Sequence, residues 1–129
     1  MKQLFSLVAI ATSLFVVSES AQAQTTYGPK YKNSICTIQV EDTYLMNKST
    51  CGVAVADGHY FIASAGGGDL VEGVLRDIEI GTHQGELISS LNFYSGTDTS
   101  WDIKPKKGKT NGKCWDIEGG RTVICVNQK

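Results

Sequence analysis

An all-β fold, built as a small disulfide-stabilised β-sandwich or β-barrel, is the class this sequence predicts. Three observations carry that expectation. Short β-branched and aromatic runs recur along the chain, turn residues separate nearly all of them, and four cysteines, Cys36, Cys51, Cys114 and Cys125, fall in only 129 residues.

The chain opens MKQLFSLVAIATSLFVVSESAQAQ, with a cationic Lys2, an apolar run from Leu4 to Val17 and a small-x-small signal at Ala21-Gln22-Ala23. That is the pattern of a secretory signal peptide over residues 1–23. Residues 24–129 then read as a single secreted domain. No second apolar run of spanning length follows, so no membrane span is expected and the product is expected to be a monomer in the extracellular space.

The strand candidates come in order as ICTIQVE (35–41), GVAVA (52–56), HYFIASA (59–65), LVEGVLRDIEI (70–80), ELISSLNFY (86–94), CWDIE (114–118) and RTVICV (121–126). In LVEGVLRDIEI the apolar positions 71, 74, 75 and 78 have partly helical spacing, so one short helix is the alternative there.

Two turns fix registers. Asp57-Gly58 suits a hairpin whose two central residues need positive φ, which pairs Ala56 with His59, Val55 with Tyr60 and Ala54 with Phe61. Gly119-Gly120 likewise pairs 117 with 122, 116 with 123, 115 with 124 and Cys114 with Cys125. Opposed residues in an antiparallel ladder lie roughly 4.5–5.5 Å apart between Cα atoms, within disulfide reach. The expected bridges are therefore Cys114–Cys125 and, by elimination, Cys36–Cys51, with the two other connectivities left open. The cysteines lack C-x-x-C spacing and the histidines lack zinc-finger spacing, so neither metal nor cofactor is expected.

The charge is uneven. Residues 41–102 hold ten acidic and two basic side chains, whereas KPKKGKTNGK (104–113) holds five lysines and no acid. One lysine segment lacks the broad basic surface of nucleic-acid binders, so no nucleic-acid partner is expected. Trp101 and Trp115 bracket it. Planar rings beside cations suit sugar rings, lipid headgroups or a partner protein. Trp101, Lys104, Lys106, Lys107, Lys109 and Trp115 are accordingly the candidate contact residues. Asn47-Lys48-Ser49 is an N-glycosylation sequon, with Asn47 its acceptor.

Residues 51–70, CGVAVADGHYFIASAGGGDL, place a histidine, a serine and three glycines close together. His59 and Ser64 are five apart on one strand, so they point to opposite faces and lie roughly 16 Å apart. No nucleophile–base pair follows, and the glycine run lacks the Lys-Ser/Thr of a phosphate loop. His59 reads as an exposed strand-end residue, and no catalytic residue is predicted. The enzymatic alternative is a small ribonuclease using His59, His83, Arg76 and Glu72 or Glu86, or a cell-wall-active protein.

Two stretches carry a family likeness. Thr26-Tyr27-Gly28-Pro29-Lys30-Tyr31 followed by Cys36, and Gly58-His59-Tyr60-Phe61-Ile62-Ala63-Ser64-Ala65, resemble strands of the plant natriuretic peptide and expansin-like group, whose domain is a double-psi β-barrel. The resemblance implies a secreted, wall-associated protein, usually without hydrolytic activity. The group's later Val-Val-Asp strand has no counterpart here, so none of its functional residues is carried over. In size and style the chain is also similar to small secreted effectors of plant-associated fungi. The expected function is therefore effector-like: non-enzymatic binding of a host protein or cell-wall or cell-surface component as a virulence factor, with inhibition of a host extracellular enzyme as a further alternative.

Overall fold

The structure, a computed structural model, describes residues 30–108 and 112–127. Nine strands make it up: β1 (Lys32–Val40), β2 (Thr43–Ala56), β3 (His59–Ala63), β4 (Leu75–His83), β5 (Glu86–Phe93), β6 (Gly96–Ser100), β7 (Ile103–Lys107), β8 (Lys113–Ile117) and β9 (Thr122–Val126). No helix occurs among the described residues, and none is therefore long and apolar enough to cross a membrane. The short helix considered over 70–80 is replaced by a turn and the start of β4. Its apolar residues are used two apart, with Ile78 and Ile80 both buried and Glu79 between them on the other face.

The strands form one antiparallel sheet in the order β6-β5-β4-β3-β2-β1-β9-β8-β7, curled into a nearly closed barrel. The first and last strands pair, Cys36 with Val126 through Val40 with Thr122. Direction counting explains the gap. Five antiparallel steps lead from β1 to β6 and three lead from β1 through β9 to β7, so β6 and β7 run the same way. Two residues, Trp101 and Asp102, join them, too few for a parallel crossover. β7 therefore continues β6 past a bend, and one bent strand pairs first with β5 and then with β8. The barrel thus has eight positions around its circumference, a size whose interior side chains alone can fill.

They do fill it. Ile38, Ile62, Leu75, Ile78, Ile80, Leu91, Trp115, Ile117 and Ile124 form a buried cluster, with Tyr60 packed against it. Ser89 is also fully buried, and among the described residues its hydroxyl has no hydrogen-bond partner.

Both turn-derived registers hold. Asp57 and Gly58 have φ of 54° and 80°, and β2 pairs with β3 as Ala56–His59, Val55–Tyr60 and Ala54–Phe61. Glu118, Gly119 and Gly120 all have positive φ, and β8 pairs with β9 from Ile117–Thr122 to Cys114–Cys125. The bridges are Cys114–Cys125, with Cα atoms 4.1 Å apart, and Cys36–Cys51, at 5.9 Å. The second is diagonal, since Cys51 lies directly opposite Ser34. Two disulfides are compatible with an extracellular protein. The leader expected over 1–23 and Thr26 to Pro29 lie outside the described residues.

Candidate functional site

Alternation and register together build a cleft on the outside of the barrel wall. On β3, β4, β5 and β6 the side chains of Ile62, Ile80, Ser89 and Ser100 are buried. Their neighbours must face out. Tyr60 pairs with Ile80, Gly81 with Ile88, and Ser89 with Ser100. One step along each ladder aligns His59, Gly81, Ile88 and Trp101 in a row across the outer face. Phe61, Glu79, Ser90 and Thr99 form the next row.

Gly81 shapes this row. Having no side chain, it leaves a trough into which the His59 ring folds, and a methyl group there would overlap the ring. From this position His59 Nδ1–H donates to Glu79 Oε2 at 3.2 Å and the ring stacks on Phe61, 6.1 Å between centroids. On the far side His83 meets Trp101 edge-on at 5.6 Å. The cleft between them, about 280 Å³, is lined by His59, Glu79, Gly81, His83, Ile88 and Trp101, with Thr82 and Ser90 adding hydroxyls. Trp101 is 49% exposed. The cleft offers one aromatic face, a carboxylate, two imidazoles and two hydroxyls, and among the described residues no lysine or arginine lines it.

The expected contact face is divided by the structure. Trp101 joins the histidine cleft. Trp115 does not: it is 1% exposed, because alternation in β8 turns 115 and 117 into the barrel, where its ring meets Tyr60 edge-on at 4.9 Å. Lys104, Lys106 and Lys107 are on strand β7. Pro105 is accommodated there because β7 pairs with β8 on one side only. Lys106 pairs with Asp116 at 3.6 Å, and Lys109 lies outside the described residues. Asn47 is exposed on β2, inside the Cys36–Cys51 loop.

His59 is not the free strand-end residue expected, since it is packed over Gly81 and tied to Glu79. Of the ribonuclease set, His59 and His83 do share the cleft. Arg76 instead lies over the Tyr94 ring, 4.6 Å from its centroid, and neither Glu72 nor Glu86 lines the cleft. Ser64 lies outside it too. Glu79, Gly81 and Ile88 escaped the sequence reading. The Asp57-Gly58 turn fixes β2 against β3, whereas aligning His59 with Gly81 requires knowing that β4 pairs next.

No match places the chain among known proteins. No protein family, curated protein or solved structure matches it. Among the described residues no group of three or more His, Cys, Asp or Glu side chains is arranged to hold a metal ion.

Proposed function

We propose that this chain is a secreted, effector-like protein that acts without catalysis, by binding a host or cell-surface component through the Trp101 cleft. The observation that carries the reading is the makeup of that cleft. A half-exposed tryptophan ring is braced by His83 and surrounded by hydrogen-bonding groups over a floor of Gly81 and Ile88. Such a surface holds the flat face of a ring by stacking and its polar edge by hydrogen bonds.

The ribonuclease reading draws on the meeting of His59, Glu79 and His83. It lacks a cation for the phosphate, which phosphoryl chemistry requires where negative charge develops. Binding is therefore favoured over turnover.

One comparison tests this. Wild type and Trp101→Ala are incubated with extracellular-matrix and cell-wall preparations, and with RNA beside His59→Ala and His83→Ala. Retention that Trp101→Ala weakens by about tenfold, a loss of ~1.4 kcal/mol, with RNA left intact, is the expected outcome. RNA cleavage by wild type that either histidine variant abolishes would overturn it.

A further inference from the structure

The opposite surface feature, at one end of the barrel, is cationic. β1, β3 and β8 begin at this end and β2, β7 and β9 finish there, as antiparallel order requires. The last inward-facing position on several of these strands is a lysine. Lys113 is two residues before buried Trp115, and Lys107 lies in the row of buried Ile103. Lys32 is opposite Val53, whose side chain packs on the core. Positions that elsewhere in the barrel carry isoleucine, leucine or valine carry ammonium groups here.

Two details make this arrangement costly unless something anionic is bound. Lys107 and Lys113 are directly opposed in the β7–β8 ladder, a like-charge pair that destabilises a sheet. Among the described residues none of Lys32, Lys107 and Lys113 forms an ion pair with a carboxylate. Lys113 Nζ instead sits 5.4 Å from the Tyr60 ring centroid and 5.9 Å from that of Trp115.

Two depressions flank Tyr60 and Lys113. One, of about 310 Å³, is lined by Lys32, Asn33, Ser34, Val53, Val55 and Asn127 among others. The other, of about 490 Å³, is lined by Pro105, Lys106, Lys107 and Gly112 besides the shared pair. Among the described residues no acidic side chain lines either.

We propose that this barrel mouth is a second binding site, separate from the Trp101 cleft, for a short acidic saccharide. Its anionic groups meet Lys32, Lys107 and Lys113, a sugar ring lies on Tyr60, and Asn33, Ser34 and Asn127 take its hydroxyls. The size of each depression suits one or two sugar units. The chemistry disfavours other polyanions. Single-stranded nucleic acid needs successive stacking rings, and among the described residues Tyr60 is the single aromatic residue lining these depressions. A lipid surface needs an apolar wedge, and among the described residues Val55 is the single large apolar side chain lining them that stands well exposed.

The test is calorimetric titration of the purified protein with an oligogalacturonate, with a heparin-derived oligosaccharide, with a neutral cello-oligosaccharide and with anionic lipid vesicles. Binding of either acidic saccharide, weakened by added salt, with no response to the neutral one, is expected. The carboxylate and sulfate arms then identify the anion. Lys32→Gln/Lys107→Gln/Lys113→Gln should weaken binding by about tenfold or more, with its thermal midpoint retained or raised as the Lys107–Lys113 repulsion is removed. The control Lys48→Gln/Lys104→Gln/Arg121→Gln, which removes the same charge outside both depressions, should leave it nearly unchanged. Equal losses in the two triple variants, equal binding of the neutral saccharide, binding of the vesicles alone, or no binding of either acidic saccharide would each overturn the proposal.

Discussion

Gly81 shows how a missing side chain can organise a site. The His59 ring occupies the space a Cβ would need, so the trough, the Glu79 hydrogen bond and the Phe61 stack depend on one another. Gly81→Ala should destabilise the fold by about 1–3 kcal/mol, the usual cost of overpacking. In Gly81→Ala/His59→Ala the cost should fall well below the sum of the two single changes, because the collision is gone. Denaturant melts of the four proteins in that cycle measure the coupling. A second residue-scale expectation concerns two phenols. The Tyr94 hydroxyl donates to Asp69 at 2.8 Å, and that hydrogen bond, with lesser help from desolvation and the Asp69 charge, raises its pKa above 10.0. Burial first, then the charges of Asp77 and Glu79, raises that of Tyr31. The folded chain thus keeps protons that the unfolded chain releases above pH 10.0, so this stabilisation is complete below that pH and lost as pH rises through the raised values. Phenolate absorbance during alkaline titration should show both groups ionising late, and Asp69→Asn should return Tyr94 towards its ordinary value.

Among the strands, β1, β3, β4, β5, β8 and β9 were readable from their β-branched and aromatic runs, and two glycine turns also gave the pairing of their hairpins. Asp57-Gly58 and Gly119-Gly120 dictate positive φ at known positions, and counting outward gave correct pairings, including Cys114 opposite Cys125. The first half of β2, TYLMNKST, is not among the strand candidates, since NKST carries no alternating apolar pattern. It is held as strand by pairing with β1, through two register shifts and a positive φ at Lys48. β6 and β7, GTDTS and IKPKK, set Thr97, Thr99 and Ile103 among glycine, aspartate, proline and lysine, so their strand signal is weak. They are strands because β5 and β8 offer them partners, a tertiary effect that no local pattern announces. The candidate cleft was correspondingly half readable. Trp101 was visible as an unusual ring, whereas its neighbours come from four strands whose order only the fold supplies. The two bridges are local to single hairpins, spanning separations of 15 and 11 residues. Each should therefore form without the other. Cys114→Ser/Cys125→Ser should retain Cys36–Cys51 on unreduced peptide mapping, while losing about 3 kcal/mol of stability.

For the molecule as a whole, the bend at Trp101–Asp102 reconciles nine segments with antiparallel closure. An odd ring of antiparallel strands cannot close, and continuing β6 into β7 makes the count even. The bend is pinned from both sides, with Asp102 N–H donating to Ser100 Oγ at 3.3 Å and Glu118 N–H donating to the Asp102 carbonyl at 2.7 Å. The same feature sets the two proposed sites apart. The β6 side of the bend carries Trp101 to the outer wall, and β7 carries its lysines on to the barrel mouth.

The ladder between β1 and β9 has a consequence for how the molecule comes into being. All four cysteines sit on the four neighbouring strands β2, β1, β9 and β8, yet no sulfur joins the two middle ones. As the chain emerges, the earliest strand has to wait for the latest before the circle is complete, and oxidation can stiffen each half beforehand without committing them to meet. The final fastening is left to amide pairs and to Ile38 and Ile124, which face one another across it. Assembly can thus be reversed at that line while every covalent staple stays intact.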